Sequence, residues 1–114
     1  MDFALSEEHQ MVQKMVRDFA AREISPSIKE HDRNQVFDRS ILPKMAEQGF
    51  LGICIPVRYG GAGMDYISLG LVSEELEYID TANRVIMSVH VGLNSLSLLQ
   101  WGTEEQKQKY LVPQ

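Results

Sequence analysis

Few residues in this chain have the types and spacing for chemistry. His90, Asn94, Ser97 and Trp101 recur at i, i+4, i+7 and i+11, which puts them on one side of a helix. Such a stripe could wall a binding pocket. It could equally be helix packing with satisfied polar groups, the account that composition alone favours. Ser88, Gly92 and Ser95 form a small-residue strip beside it, where another element or a ligand could come close. The histidines His9, His31 and His90 are scattered over separate segments without a paired ligand spacing, so no metal site is expected. No Ser-His-acid arrangement can be argued. The carboxylates fall on solvated faces of the expected helices, so no buried base and no catalytic residue is expected in this chain.

Two further features weigh towards structure. Arg58-Tyr59-Gly60-Gly61-Ala62-Gly63 could cradle a phosphate, but it lacks a preceding parallel-strand pattern and the Lys-Ser/Thr of a P-loop. A tight turn between helices is favoured. The single cysteine, Cys54, sits between Ile53 and Ile55 and reads as a small buried apolar residue. Alone it forms no internal disulfide, which points to a reducing compartment.

The elements that must position these residues follow from charge and periodicity. No Asp, Glu, Lys or Arg occurs between Arg84 and Glu104, although 24% of the 114 residues are charged. On a helix, Val85, Val89, Leu93 and Leu96 take one face, Ile86, His90, Leu93 and Ser97 the next, and Met87, Val91, Leu98 and Trp101 another. A helix apolar on several faces is buried on several sides, so this segment is expected to be a central, enclosed rod. Ser88, His90, Asn94, Ser95, Ser97 and Gln100 within it would be costly in lipid, so no membrane span is expected. The net charge of −5 argues against nucleic acid or an anionic membrane as partner.

Around the rod the pattern is helical throughout. Ser6 can cap a helix with Glu7 and Glu8 in its first turn, and Val12, Met15, Val16, Phe19, Ala20 and Ile24 give it a core face. Pro26 should end or kink it, leaving Ser27 to Asp32 for a short second piece. Residues 33–38 read as a loop. Ser40 can start a third helix with Pro43 in its first turn, Leu42, Met45 and Ala46 as its apolar side, and Gly49 as its stop. Phe50 to Pro56 reads as a buried connector. Asp65 can cap a helix to about Ile79, with Leu69, Val72, Leu76 and Ile79 inward and the glutamates outward. Asp80 and Thr81 mark a break, and Gly102 ends the rod. Thr103 with Gln106 three residues on is a capping-box pattern, opening a last helix whose apolar side carries Tyr110 and Leu111. The fold class expected is all-α, a bundle of about five or six helices forming one domain over residues 1–114. No basic, apolar signal segment precedes the first helix, so a cytoplasmic protein is expected.

At several points this chain resembles the N-terminal helical domain of the acyl-CoA dehydrogenases. The likeness begins at Met1-Asp2-Phe3 and continues through Glu23-Ile24-Ser25-Pro26 and Gly49-Phe50-Leu51-Gly52. It extends over Tyr59-Gly60-Gly61-Ala62-Gly63, Ser73-Glu74-Glu75-Leu76 and the run from Gly102 to Leu111. Val57-Arg58 departs from it, since acidic residues are common there in the family. The resemblance implies the first domain of a three-domain FAD flavoenzyme that oxidises an acyl-CoA thioester to its 2,3-enoyl form. In that family a glutamate takes the α-proton while hydride passes from the β-carbon to the flavin, and electrons leave to an electron-transfer flavoprotein. The usual catalytic glutamate and most flavin contacts belong to other domains, so no residue here inherits either role. What the resemblance carries over is the acyl pocket, whose wall includes the helix matching Val85 to Gln100. Val89, His90 and Leu93 are the candidate substrate-binding residues. A full-length protein of this kind is expected to be a homo-oligomer, and this segment alone is expected to be inactive. A non-catalytic helical interaction module and an acyl-CoA oxidase-like domain are the alternatives.

Overall fold

The computed structural model describes residues 3–114; Met1 and Asp2, where the family likeness begins, lie outside the described residues. Every regular element among these is helical. Helix α1 (Glu7–Glu23) starts where Ser6 accepts the His9 N–H, satisfying one of the free N-terminal donors. Its buried face is Val12, Val16, Phe19 and Ala20, with Ile24 continuing it and Met15 packed at its edge. Pro26 sits in a 3-10 turn (Ser25–Ser27) that redirects the chain into α2 (Ile28–Arg33).

Helix α3 (Ile41–Glu47) begins as expected but is capped differently. Ser40 makes no side-chain cap. Instead the Asp38 carboxylate accepts from both the N–H and the hydroxyl of Ser40, an Asx-type turn that shapes the entry. Its buried residues are Ile41 and Met45, whereas Ala46 is exposed. Gly49, at φ 84°, stops the helix. The connector from Phe50 is buried as read from the sequence, folded as 3-10 turns at Phe50–Gly52 and Val57–Tyr59. Cys54 within it is buried and free.

Helix α4 (Tyr66–Ile79) is capped by Asp65, which accepts from the Ser68 N–H and hydroxyl, both at 2.9 Å, with His9 Nε2 2.8 Å away. The Ser68 backbone N–H first, then the His9 ring, hold the Asp65 carboxyl at about 2 against its ordinary 3.8. A depressed folded-state pKa adds stability that is complete above the unfolded value and lost as pH falls through the folded one. Asp65→Asn should therefore lower stability throughout the neutral region and flatten the profile between pH 3.8 and about 2, where the two proteins converge. Urea midpoints across that range test it; an unaltered acid limb would refute the assignment.

Leu71, Val72 and Leu76 form the buried face of α4, with Leu69 and Ile79 packed beside them. The expectation that its glutamates all face out fails at Glu75, which is 7% exposed. Arg17 of α1 explains it, donating Nε and Nη2 to the two carboxylate oxygens at 3.1 and 2.8 Å. A paired, bidentate guanidinium lets a carboxylate lie under a helix interface. The pair ties α1 to α4, the two helices that pack most extensively.

Asp80 closes α4 and caps the next helix in one residue, accepting from Ala82 and Asn83. Helix α5 runs from Thr81–Ser88 through a π-helical stretch, Val89–Ser95, to Leu96–Trp101. Gly102 ends it. Helix α6 (Glu104–Gln106, widening into a π turn at Lys107–Leu111) opens on the capping box of Thr103 and Gln106, both halves of which form. Leu111 is buried, whereas Tyr110, expected on the apolar side, is exposed.

The main core gathers α1, α3, α4, α5 and the Phe50 connector around Phe19 and Phe50, whose rings meet edge to face at 5.2 Å and 89°. A smaller cluster of Ile55, Tyr59 and Leu111 anchors α6. Tyr59 donates its hydroxyl to Glu104 at 2.8 Å, while Arg58 and Lys107 lie near its ring.

The expectation of a rod enclosed on all sides is corrected here. The molecule measures 43 × 38 × 20 Å. Within this chain α5 is buried along Asn83, Met87, Val91 and Ser95 and exposed along Val85, Val89 and Leu93. Among the described residues, no helix is long and apolar enough to cross a membrane.

Candidate functional site

The core-facing side of α5 is Asn83, Met87, Val91 and Ser95, a strict four-residue repeat. Four α-helical residues turn through about 400°, so such a repeat drifts off its face as the helix proceeds. The wider turn at Val89–Ser95 counters the drift. There the Leu96 N–H reaches the Val91 carbonyl, five residues back, the i→i+5 bonding of a π turn. Met87, Val91 and Ser95 thus stay on the core.

The same geometry presents the other side of the helix outward. Val85, Val89 and Leu93 follow one another at four-residue spacing and are all exposed, Leu93 at 68%, and Trp101 beyond them at 81%. Two of the three sequence-derived candidates, Val89 and Leu93, therefore share one open apolar stripe and are not core. His90 is half-buried and one position round the helix; its side chain has no hydrogen-bond partner among the described residues. Burial pushes its imidazole below the usual value, which keeps the ring neutral near pH 7.

The polar stripe is brought together in part. Asn94, Ser97 and Trp101 line an open groove of about 600 Å³ between α5 and α6, with Leu93 at one end and Tyr110 across it. His90 and Val89 do not line it. The small-residue strip does not receive another element as one unit. Ser95 is buried, but a Cβ on Gly92 would meet nothing within 4 Å. Sequence reasoning missed Val85 and Tyr110 as members of this open face, because it assigned both to buried surfaces.

The glycine segment is closed. Gly60 and Gly63 take positive φ, and a Cβ on Gly61 would lie 2.1 Å from the Ile55 carbonyl oxygen. The Gly63 N–H donates to that oxygen at 2.9 Å. These amides serve a turn packed on its own chain and cradle no phosphate. Among the described residues, no group of three or more His, Cys, Asp or Glu could hold a metal ion.

The comparisons with known proteins agree on one family. The family model described as acyl-CoA dehydrogenase, N-terminal domain, matches residues 6–114. The short-chain specific acyl-CoA dehydrogenase of Clostridium acetobutylicum is 42% identical over 113 residues, covering 99% of this chain and 30% of that protein. Butyryl-CoA dehydrogenase from Megasphaera elsdenii superposes with a TM-score of 0.94 at 33% identity, over 99% of this chain and 30% of the other. A chain solved in a structure of the electron transferring flavoprotein of Acidaminococcus fermentans gives 0.95 at 43%, with the same coverage of 99% and 30%. The chain thus spans about 30% of the length of such relatives.

Proposed function

We propose that this chain, which belongs to the acyl-CoA dehydrogenase family as its N-terminal domain, supplies one wall of the acyl pocket of an FAD-dependent enzyme. That enzyme oxidises an acyl-CoA thioester to its 2,3-enoyl form in fatty acid metabolism and passes electrons to an electron-transfer flavoprotein. The observation that carries the reading is the open apolar stripe of Val85, Val89 and Leu93 on a helix that carries no charge after Arg84. An exposed apolar row of this kind is the surface an acyl chain or a covering domain requires. Val89 and Leu93 bound the depth of the pocket by bulk, and the neutral His90 beside them shapes it.

The residues present do not form a flavin site. The one glycine-rich turn is packed against Ile55, and the groove at Trp101 is open. The flavin and the catalytic base accordingly belong to residues outside this chain, which acts as one domain over residues 1–114 of a cytoplasmic, homo-oligomeric enzyme. Alone it is inactive: the purified 114-residue protein should show no flavin absorbance and no turnover of an acyl-CoA.

The pocket assignment is tested in the full-length enzyme. Leu93→Ala removes most of a side chain from the stripe, and one methylene in an apolar pocket is worth about tenfold or more in discrimination. Leu93→Ala and His90→Ala should shift the ratio of kcat/KM between acyl chains differing by two carbons by about tenfold, towards the longer. An unchanged ratio in both variants would sink the assignment.

A further inference from the structure

Gly92 stands at the centre of the π turn of α5 and is half-buried. Most glycines of this chain have a reason inside it. Gly49, Gly60 and Gly63 take positive φ, and a Cβ on Gly61 or Gly102 would press on a carbonyl oxygen at 2.1 or 2.6 Å. Gly92 has neither reason. Its φ is not positive, and a Cβ there would meet nothing within 4 Å. Glycine inside a helix is destabilising relative to alanine, because it gives up more backbone freedom on folding and packs no side chain. Within this chain no turn and no close contact offsets that loss.

The position decides what the missing side chain serves. Residues three and four apart are neighbours on a helix surface, so Gly92 lies one turn on from Ser88 and Val89, and it directly precedes Leu93. Val89 and Leu93 are exposed and belong to the open apolar stripe. Beside that row the absent Cβ leaves a notch about one methyl group deep. Its neighbour Ser88 is turned back onto its own helix, donating to the Val85 carbonyl at 3.3 Å and accepting from Arg84 at 3.2 Å. The serine hydroxyl is thus already engaged, and the notch suits hydrocarbon.

We propose that Gly92 is a specificity-determining residue that admits a methyl branch of the acyl chain. The inference rests on the assignment of Val89 and Leu93 to the acyl pocket. An unbranched chain lying along those two residues leaves the notch empty, whereas a branched chain fills it and buries one more carbon. Alanine at this position would occupy the volume of that branch.

Butyryl-CoA and 3-methylbutanoyl-CoA share a main chain and differ by one methyl, so together they read the notch. In the full-length enzyme, Gly92→Ala should lower the ratio of kcat/KM for 3-methylbutanoyl-CoA over butyryl-CoA by about tenfold, the lower value for one methylene in an apolar pocket. Gly92→Val should lower it further. Gly70 on α4 is also free of positive φ and of close contact. Gly70→Ala gives a like gain in helix propensity off the stripe and should leave the ratio unchanged. In the 114-residue chain, Gly92→Ala should raise or keep the urea midpoint, as at any helix position where glycine has no backbone role. An unchanged ratio in both Gly92 variants overturns the proposal, and so does an equal shift in Gly70→Ala. A lowered urea midpoint overturns it as well, because the glycine would then be serving the π turn. The Leu93→Ala and His90→Ala measurements keep the two assignments apart. If those variants alter chain-length preference while Gly92→Ala leaves the branched ratio unchanged, the notch alone is wrong. If no variant alters selectivity, the pocket assignment falls and the notch with it.

Discussion

Phe50→Ala is expected to lower the unfolding free energy by about 3–5 kcal/mol, the range for deleting a buried phenylalanine. Phe50 is fully buried although it lies in a connector outside any α-helix. Its ring stands edge to face on Phe19 at 5.2 Å, joining the connector to α1, and its 3-10 turn packs on the π stretch of α5. No single helix can slide in to fill the space, so the cavity term persists. The edge-to-face pair adds about 0.5–1.5 kcal/mol beyond area, which Phe50→Leu would forfeit while keeping most of the apolar volume. Domains are stable by about 5–15 kcal/mol, so Phe50→Ala takes a large share of the total. Urea unfolding at constant m-value measures it; a loss under about 1 kcal/mol would show that the ring is not part of the core.

The second large effect is at Gly61. An added Cβ would sit 2.1 Å from the Ile55 carbonyl oxygen and 2.6 Å from its carbonyl carbon. The obstacle is backbone, and the Gly63 N–H is bonded to that same oxygen, so relief requires moving the whole turn. Gly61→Ala should cost about 3 kcal/mol, the upper end of overpacking. Gly60→Ala makes the contrast. Gly60 has φ 90° but open space around a Cβ, so only the left-handed backbone is penalised, by about 1–2 kcal/mol. Thermal unfolding of the two variants should rank them in that order. Equal midpoints would show that the turn yields, and that close approach is not what fixes glycine there.

What the sequence by itself determined was local. Ser6, Asp65 and Thr103 mark helix starts because a cap is a bond between a side chain and a backbone N–H three residues away. Gly49 marks a stop because a single residue must take a left-handed conformation. The stripe of Val12, Val16, Phe19 and Ala20 reads correctly because the helical period alone assigns a face. The family itself was legible in scattered short segments whose order and spacing agree over the chain.

Tertiary structure decided whatever depends on a partner distant in sequence. Glu75 looked like a solvated carboxylate, and only Arg17, 58 residues away, makes its burial tolerable. Composition showed α5 to be free of charge beyond Arg84, but charge-free is not the same as enclosed. Its exposure is decided by which elements of the fold reach it, and within this chain Val89 and Leu93 face outward. Which residues stay on the core side depends on a π turn at Val89–Ser95. Periodicity analysis assumes a constant turn per residue and cannot foresee one. Short-range bonds are written in neighbouring residues, whereas burial, exposure and unpaired groups are properties of the packed whole.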